Sequence, residues 1–211
     1  VEVDCGIINS MGLPNPGIDA YREEIESIKK KTSVPIIGSI FGKDEKEFCL
    51  LAKKMETYGV DAIELNLSCP HAKGYGLEIG SNPKKVENIV SKVKSSVNIP
   101  IFAKLSPNVT DIVEIAKSAK KGGADAITAI NSVKAMKIDI EIGLPVLSNK
   151  IGGYSGKAIK PIGIRCVYEI SKNVDIPVIG VGGILTAEDA IEYLMAGASA
   201  VQIGSAVYYR D

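Results

Sequence analysis

The chain repeats two short sequence patterns, three times each and in strict alternation. The first pattern is X-Pro followed by two apolar residues and a small residue. The second is Gly, a small or apolar residue, a polar residue, Ala and a β-branched residue. The first lies at 34–38, 99–103 and 176–180, and the second lies at 59–63, 123–127 and 197–201. Each opens a short apolar run, and an amphipathic stretch follows every run except the last. Short apolar strands that alternate with helices are typical of a parallel sheet covered on both faces.

Six strands with a doubled period predict an α/β fold, a (β/α)8 TIM barrel of which about six strands are represented in this chain. The alternative is an open doubly wound sheet, but no G-x-G-x-x-G follows an early strand, and an open sheet gives no reason for the doubling. A complete barrel typically takes about 250 residues. We therefore expect residues 1–211 to form a single (β/α)8 barrel domain that lacks the first two strands and the last helix.

Composition narrows the class of protein. Acidic and basic residues number 25 each and are interspersed, so the sequence indicates neither a nucleic-acid-binding nor a membrane-attracting surface. No apolar run has the length of a membrane span and no secretory signal is visible, which favours a cytoplasmic protein. The spacing of the four Cys matches no metal site, and we predict none. Cys5, Cys49 and Cys166 fall in ordinary core or helix positions and are interpreted as structural.

Apolar periodicity predicts helices at 19–31, 43–58, 83–97, 111–121, 161–173 and 187–196. Thr186 to Asp189 resembles a capping box at the start of the last of these. Two segments interrupt the alternation. One, 69–82, is rich in Gly, and the other, 133–156, contains an alternating strand-like run at 137–142. Both follow C-terminal strand ends, so both are candidate lids over the barrel mouth.

Residues at the predicted strand ends suggest an anionic ligand. Lys104 ends one strand, and the cost of a Lys inside a ring of strands is tolerated if an anion or an electron-rich cofactor lies against it. The simpler interpretation is a Lys that reaches solvent. Gly182-Gly183 and Gly204-Ser205 end the last two strands, where barrels commonly bind phosphate through backbone N–H groups. Residues 152–156 could add further donors.

Cys69 follows a predicted strand end at the base of the glycine-rich segment. Cys is more often a small buried residue than a reactive one, but a thiol placed here can act as a base or a nucleophile. No His belongs to the same motif, which makes Cys–His nucleophilic catalysis less favoured. Asn9, Asn66 and Asn131 are predicted at the same rim. An amide both donates and accepts, which suits a ligand with amide or imide groups, such as a pyrimidine ring.

Seven motifs resemble those of the flavin-dependent dihydroorotate dehydrogenases, in the soluble class with a Cys base. They are NSMGLPNPG (9–17), ELNLSCP (64–70), KLSPN (104–108), INS (130–132), GGYSGKAIKP (152–161), GVGGI (180–184) and VQIGSA (201–206). They cover essentially the whole chain in the family's order. The resemblance implies an FMN enzyme of pyrimidine biosynthesis that oxidises dihydroorotate to orotate, with Cys69 as the catalytic base.

The resemblance also implies partners. KLSPN and GGYSGKAIKP resemble the NAD-linked type 1B form, which pairs with an electron-transfer subunit carrying FAD and a 2Fe-2S cluster. NSMGLPN resembles the fumarate-using form equally well, so the acceptor stays open between the two. A homodimer is implied in either case.

The resemblance assigns roles residue by residue. Lys104 would stabilise the anionic reduced flavin from the pyrimidine edge. The implied substrate-binding residues are Asn9, Met11, Gly12, Leu13, Asn66, His71, Asn131 and Ser132. The implied cofactor-binding residues are Ser39, Lys104, Ile130, Ser155, Gly156, Gly182, Gly183, Gly204 and Ser205.

Two departures from the family keep alternatives open. His71 stands where the family usually has Asn, and CPH followed by spaced glycines resembles the dihydropyrimidine dehydrogenases, which reduce uracil and thymine. Against that alternative, NSMGLPNPG matches the dihydroorotate enzymes over a loop where the pyrimidine-reducing enzymes differ. The family's Lys and Ser on the early strands are not in this sequence, which leaves a second alternative: a non-catalytic barrel fragment that binds FMN weakly or not at all.

Overall fold

The structure, a computed structural model, describes residues 1–68 and 77–209. Its strands are β1 (Glu2–Val3), β2 (Gly6–Asn9), β3 (Ile37–Ile40), β4 (Ala62–Asn66), β5 (Ile101–Leu105), β6 (Ala126–Ala129), β7 (Val133–Ala135), β8 (Ile138–Asp139), β9 (Leu144–Pro145), β10 (Gly152–Ser155), β11 (Val178–Val181) and β12 (Ala200–Gln202). Its α-helices are α1 (Tyr21–Lys31), α2 (Glu45–Tyr58), α3 (Leu77–Gly80), α4 (Pro83–Lys94), α5 (Ile112–Lys121), α6 (Lys160–Asn173), α7 (Ala187–Met195) and α8 (Ala206–Tyr209). Short 3-10 turns cover Ile18–Ala20 and Lys157–Ile159.

The central element is a six-stranded parallel sheet in the order β12-β11-β6-β5-β4-β3. Every one of its strands follows one of the repeated sequence patterns, and the strands are neighbours in chain order. This confirms the predicted fold class, an α/β barrel architecture with six strands represented. Because all six strands run in parallel, their C-terminal ends meet along one edge, where barrels place their functional residues.

The polar residue of the second pattern explains why the two patterns alternate. Asp61 accepts hydrogen bonds at Oδ2 from the backbone N–H of Ile36, at 2.7 Å, and from Lys29, at 2.5 Å. These contacts hold the pKa of the Asp61 carboxyl below its usual value, with the Lys29 hydrogen bond as the largest cause. Asp125 repeats the arrangement: it accepts from the N–H of Ile101 and from Lys94, which ends helix α4. Since Pro has no N–H, the next residue offers the first donor of the strand, and an Asp at the start of the neighbouring strand pairs with it.

The two faces of the sheet differ in polarity. Its outer face packs on the helices through fully buried residues such as Ile63, Leu65 and Ile127. The inner face carries polar side chains, since parallel pairing puts Ser39 beside Glu64, Asn66 beside Lys104, and Lys104 beside Thr128. Barrel interiors are usually filled by Val, Ile and Leu. A polar interior therefore indicates a binding function rather than a packing function.

The predicted helices are confirmed, with shifts at their ends. The first begins at Tyr21 behind a 3-10 turn, and the third ends at Lys94. The capping box at α7 is also confirmed: Thr186 accepts from the N–H of Asp189, and the Asp189 carboxylate accepts from the N–H of Thr186. The short helices α3 and α8 were not predicted, because four residues are too few for a periodic pattern.

The excursion at 133–156 forms strands, as predicted, but not where the alternation is clearest. β2, β10 and β7 build an antiparallel sheet with β1, whereas only Ile138–Asp139 of the alternating run is strand. The prediction of a strand over 137–142 was wrong because Asp139 turns the chain: its side chain accepts from the N–H groups of Glu141 and Ile142.

The structure tests the predicted positions of the cysteines. Cys5 is exposed in a turn with φ 57°, so its predicted core or helix position was wrong, whereas Cys166 is buried on α6.

No helix within 1–68 and 77–209 combines the length and apolar character needed to cross a membrane.

Candidate cofactor and substrate site

Eight of the nine predicted cofactor-binding residues line one cavity of about 150 Å³. The eight are Lys104, Ile130, Ser155, Gly156, Gly182, Gly183, Gly204 and Ser205, and the predicted substrate residues Asn131 and Ser132 line the same cavity. They come from the ends of β5, β6, β10, β11 and β12. The cavity is smaller than the roughly 300–1,000 Å³ that drug-sized ligands occupy, so it fits one end of a cofactor rather than a whole flavin.

Two glycines give the cavity its shape. Gly183 has φ 67°, and a Cβ there would lie 2.6 Å from the carbonyl oxygen of Gly156. Gly156 itself has φ 108°, and a Cβ there would lie 2.7 Å from Cα of Gly6. Both positions therefore require glycine, and they bring the loop after β11 against the loop after β10. Among the described residues, the N–H groups of Gly183 and Ser205 have no hydrogen-bond partner, which suits them to an anionic oxygen.

The loop after β11 is braced from below by Asp189. Its carboxylate accepts from the N–H groups of Leu185 and Thr186 and from Lys160 Nζ at 2.7 Å. The Lys160 hydrogen bond is the main cause that lowers the pKa of Asp189 to about 2. Lys160 also pairs with Glu192 at 2.7 Å. The loop thus keeps its form through charged groups that lie outside the cavity.

Tyr193 braces the same loop from the helix side. Its side chain is fully buried, and its hydroxyl donates to the carbonyl of Gly182 at 2.8 Å. Burial raises the pKa of this phenol well above its usual value, so the hydroxyl stays a donor. Gly163 and Gly180 make room for the ring, since a Cβ at Gly163 would lie 1.9 Å from the Tyr193 oxygen.

Lys104 enters the cavity from the inner face of β5. Two polar side chains lie beside it, Glu64 and Gln202, and neither was predicted from the sequence. Glu64 Oε1 lies 3.6 Å from Lys104 Nζ, and Gln202 Oε1 lies 3.5 Å from it. Gln202 in turn donates through Nε2 to Glu64 Oε2 at 2.7 Å. The Glu64 side chain is 6% exposed and that of Lys104 is 21% exposed. Lys104 therefore has a carboxylate partner on a neighbouring strand in addition to any ligand.

A second polar cluster joins three of the predicted substrate residues, Asn66, Asn131 and Ser132. Ser68 donates to Asn66 Oδ1 at 3.0 Å and accepts from Asn131 Nδ2 at 2.7 Å. Asn131 Oδ1 accepts from the backbone N–H of Ser132 at 2.7 Å. Asn108 then donates to the carbonyl of Ser132. The ends of β4, β5 and β6 are thereby connected by side chains.

This cluster determines how both amides point. A backbone N–H only donates, so the atom that accepts from Ser132 must be the oxygen of Asn131. The N–H of Ser68 likewise identifies the oxygen of Asn66. Within the part of the chain that the structure describes, Asn66 Nδ2 and one N–H of Asn131 Nδ2 are left as donors for a ligand with acceptor atoms.

The other predicted residues lie apart from the small cavity. Ser39, Gly12 and Leu13 line a groove of about 710 Å³ beside β3, which Asn66 also borders. Asn9 ends β2 opposite Gly153, and its side chain accepts from the N–H of Met11 at 3.5 Å. Met11 is 76% exposed. Cys69 and His71 lie outside the described residues, so their predicted roles remain predictions.

Sequence reasoning missed three residues of the site. Ser68 lies within the ELNLSCP motif between Asn66 and Cys69, but no role was predicted for it. Glu64 and Gln202 carried a usable signal: each is a polar residue inside an otherwise apolar strand run, at inward-facing parity with a predicted site residue.

Comparison with known proteins agrees with this geometry. The family model described as dihydroorotate dehydrogenase matches residues 1–211. A protein of Methanocaldococcus jannaschii is 61% identical over 213 residues, covering 100% of this chain and 69% of its own length. A protein of Thermoplasma acidophilum is 60% identical, covering 99% of this chain and 68% of its own length. One of Pyrococcus furiosus is 56% identical, covering 100% and 69% respectively. Each is named dihydroorotate dehydrogenase B (NAD(+)), catalytic subunit. The predicted resemblance is confirmed: the chain belongs to the dihydroorotate dehydrogenase family.

Proposed function

We propose that this chain oxidises dihydroorotate to orotate in pyrimidine biosynthesis, with FMN as its cofactor. The observation that carries the proposal is the cavity that collects eight predicted cofactor residues from five strand ends, together with the predicted substrate residues Asn131 and Ser132. Family membership supports the same reaction, and it favours dihydroorotate over the uracil and thymine of the alternative.

The described residues fit FMN. The N–H groups of Gly183 and Ser205, which have no partner within residues 1–68 and 77–209, suit the phosphate. The close approach of Gly156 and Gly183 leaves backbone rather than side chains to meet it. Lys104 supplies the positive charge within the same cavity. When bound, FMN supplies the acceptor for the hydride that leaves C6 of dihydroorotate.

The rim holds the substrate ring. Asn66 Nδ2 and Asn131 Nδ2 offer donors, which match the carbonyl and carboxylate oxygens of dihydroorotate. Because Ser68 joins the two amides, they act as one preorganised surface rather than as independent side chains. Such prearrangement lowers the entropic cost of orienting the ring toward the base.

Cys69 is the proposed base. As a thiolate it takes the C5 proton of the substrate, and the C5–H electron pair forms the new double bond to C6 as hydride leaves C6. Cys69 follows Ser68 directly in the chain, and Ser68 is held by Asn66 and Asn131. His71, two residues further, is the proposed additional donor to the substrate. The position of Cys69 in the motif supports both assignments, which come from the family resemblance.

The names of the relatives support an NAD-linked enzyme that works with a second subunit. We extend the proposal to a homodimer in the cytoplasm, paired with an electron-transfer subunit that carries FAD and an iron–sulfur cluster. The groove beside β3, with Ser39, Gly12 and Leu13, would complete the binding site on the side opposite the proposed phosphate-binding residues Gly183 and Ser205.

Anaerobic mixing tests the proposal directly. Protein reconstituted with FMN is mixed with dihydroorotate and, separately, with dihydrouracil, while flavin absorbance is followed. Rapid bleaching by dihydroorotate alone is expected. Bleaching by dihydrouracil instead would favour a dihydropyrimidine dehydrogenase, and failure to retain FMN would favour a non-catalytic barrel.

A further inference from the structure

A buried carboxylate lies beneath the proposed flavin site and takes no part in the mechanism above. Glu64 faces the interior from β4, two residues before Asn66, and only 6% of its side chain is exposed. Its partners are Gln202, 138 positions later, and Lys104. Three different strands thus converge on one polar cluster.

The distances within this cluster are unequal. The contact between Glu64 and Gln202 is short, at 2.7 Å, and it involves a charged acceptor, which makes it a strong hydrogen bond. Lys104 Nζ is held more loosely, at 3.6 Å from Glu64 and 3.5 Å from Gln202. Because Gln202 gives its N–H to the carboxylate, its oxygen must face the ammonium.

A purely structural role does not account for this geometry. Buried ion pairs contribute little net stability unless their geometry is excellent, because both charges lose water. Here the Lys104 donors are not saturated by the pair, and Lys104 also lines the cofactor cavity. The arrangement restrains the ammonium and leaves its donors available to a ligand.

We propose that Glu64 and Gln202 are positioning residues for Lys104, which hold its ammonium at the floor of the cavity and set how strongly it stabilises reduced flavin. The inference rests on the proposed function, since it takes FMN as the occupant. Reduction adds negative charge to the flavin, so the attraction of Lys104 strengthens on reduction. The Glu64 carboxylate weakens this attraction by drawing the ammonium away from the flavin.

Two substitutions then act in opposite directions on the FMN reduction potential. Glu64→Gln keeps an acceptor for Lys104 but removes the charge that draws its ammonium away from the flavin. Reduced flavin should gain about tenfold in affinity relative to oxidised flavin, which raises a two-electron potential by about 30 mV. Gln202→Leu keeps both charges but frees the carboxylate to draw Lys104 closer, so the potential should fall.

The measurement is dye-equilibrated redox titration of the FMN-loaded full-length protein, with titration of the oxidised flavin by fluorescence. Thr128→Val is the matched control: it is buried beside Lys104 on the next strand, so it changes local packing without changing charge. Its potential should equal that of the wild type. Since Gln202→Leu leaves both charges in place, it tests the inference even if Glu64→Gln does not fold.

A double-substitution cycle separates positioning from a direct effect. In a Lys104→Met background, Glu64→Gln should shift the potential by less than about a third of its shift beside Lys104, because the effect passes through Lys104. This double variant also leaves no unpaired charge in the interior. Equal shifts in both backgrounds, or shifts of the same sign for Glu64→Gln and Gln202→Leu, would overturn the inference.

The redox titration needs no substrate, so it is independent of the reaction proposed above. If dihydroorotate does not bleach the flavin but the two shifts appear with opposite signs, the proposed function fails and the role of Glu64 stands. If dihydroorotate bleaches the flavin and the shifts are absent, only the role of Glu64 fails.

Discussion

Asn131 donates a hydrogen bond from Nδ2 to Oγ of Ser68 at 2.7 Å, across 63 positions of the chain. Ser68 follows β4 and Asn131 follows β6, so the contact spans the end of the strand between them. Since Ser68 also donates to Asn66, one hydroxyl orients both amides of the proposed substrate surface.

Ser68→Ala should therefore weaken orotate binding. Loss of the hydroxyl removes one hydrogen bond from each amide, and a backbone N–H remains as a donor to each amide oxygen. A net cost of about 1–1.5 kcal/mol corresponds to a rise of roughly tenfold in the orotate dissociation constant. The measurement is orotate titration followed through the flavin spectrum. Ser95→Ala is the control, because the Ser95 hydroxyl only bonds the carbonyl of Ser91 on a helix surface. An unchanged dissociation constant in Ser68→Ala would show that the amides need no such link.

Cys69→Ser should retain FMN but slow flavin reduction by dihydroorotate by about two or more orders of magnitude near neutral pH. A hydroxyl is a far weaker base than a thiol at that pH. Anaerobic stopped-flow absorbance measures the rate. Cys5→Ser, at an exposed turn, should leave the rate unchanged. Near-normal reduction in Cys69→Ser would contradict the assignment of the base.

Gly183→Ala should lower FMN affinity by at least about tenfold. An Ala here adds strain at φ 67°, and its Cβ would lie 2.6 Å from the Gly156 oxygen, so the cradle must open. Gly143→Ala is a matched control with the same φ of 67° and nothing within 4 Å of its Cβ. It should cost about 1–2 kcal/mol of folding stability without affecting FMN affinity. Equal FMN affinities in the two variants would show that the close contact between Gly183 and Gly156 does not contribute to FMN binding.

The ionisation of Asp189 should make the free energy of unfolding depend on pH in the acidic range. Its pKa falls from 3.8 to about 2 in the folded chain, mainly through the Lys160 hydrogen bond. A lowered folded pKa means that the stabilisation is complete above the unfolded pKa and is lost as the pH falls toward the folded one. The lowered pKa contributes on the order of 2 kcal/mol to the free energy of unfolding near neutral pH, and about half of this contribution should be lost by pH 3.

Urea unfolding of wild type and Asp189→Asn between pH 7 and pH 3 measures this dependence. The difference between the two proteins should be largest above about pH 5 and should shrink on acidification. Asp175→Asn is a control: Asp175 also pairs with a Lys, but 81% of its side chain is exposed. A difference for Asp189→Asn that is independent of pH would show that the ion pair does not supply the stabilisation.

His71→Asn should change how orotate binding depends on pH. An imidazole titrates near pH 6.5, whereas an amide does not titrate. If His71 donates to the substrate, the wild-type dissociation constant should vary between about pH 5.5 and 8, and that of His71→Asn should stay nearly flat. Curves that superimpose would remove His71 from the site and would remove the functional weight of its likeness to the pyrimidine-reducing enzymes.

The sequence by itself determined the six strands of the parallel sheet and most of the helices. The strands were predictable because their signals are local: Pro35 and Pro100 mark strand starts, and Asp61 and Asp125 recur at constant positions in the second pattern. Lys104, Gly182, Gly183, Gly204 and Ser205 could be proposed as ligand-binding residues from their positions, because parallel strands bring their C-terminal ends to one edge. The full list of predicted cofactor residues depended on the family resemblance as well.

Only the tertiary structure decided which polar side chains meet. Glu64 and Gln202 are 138 positions apart, and nothing near either residue in the sequence indicates the other. Their contact depends on the register of parallel strands and on the closure of the sheet around its interior, which are properties of the whole fold. The turn at Asp139 was missed for the opposite reason: a local side-chain hydrogen bond outweighed an alternating apolar pattern that had no core to pack against.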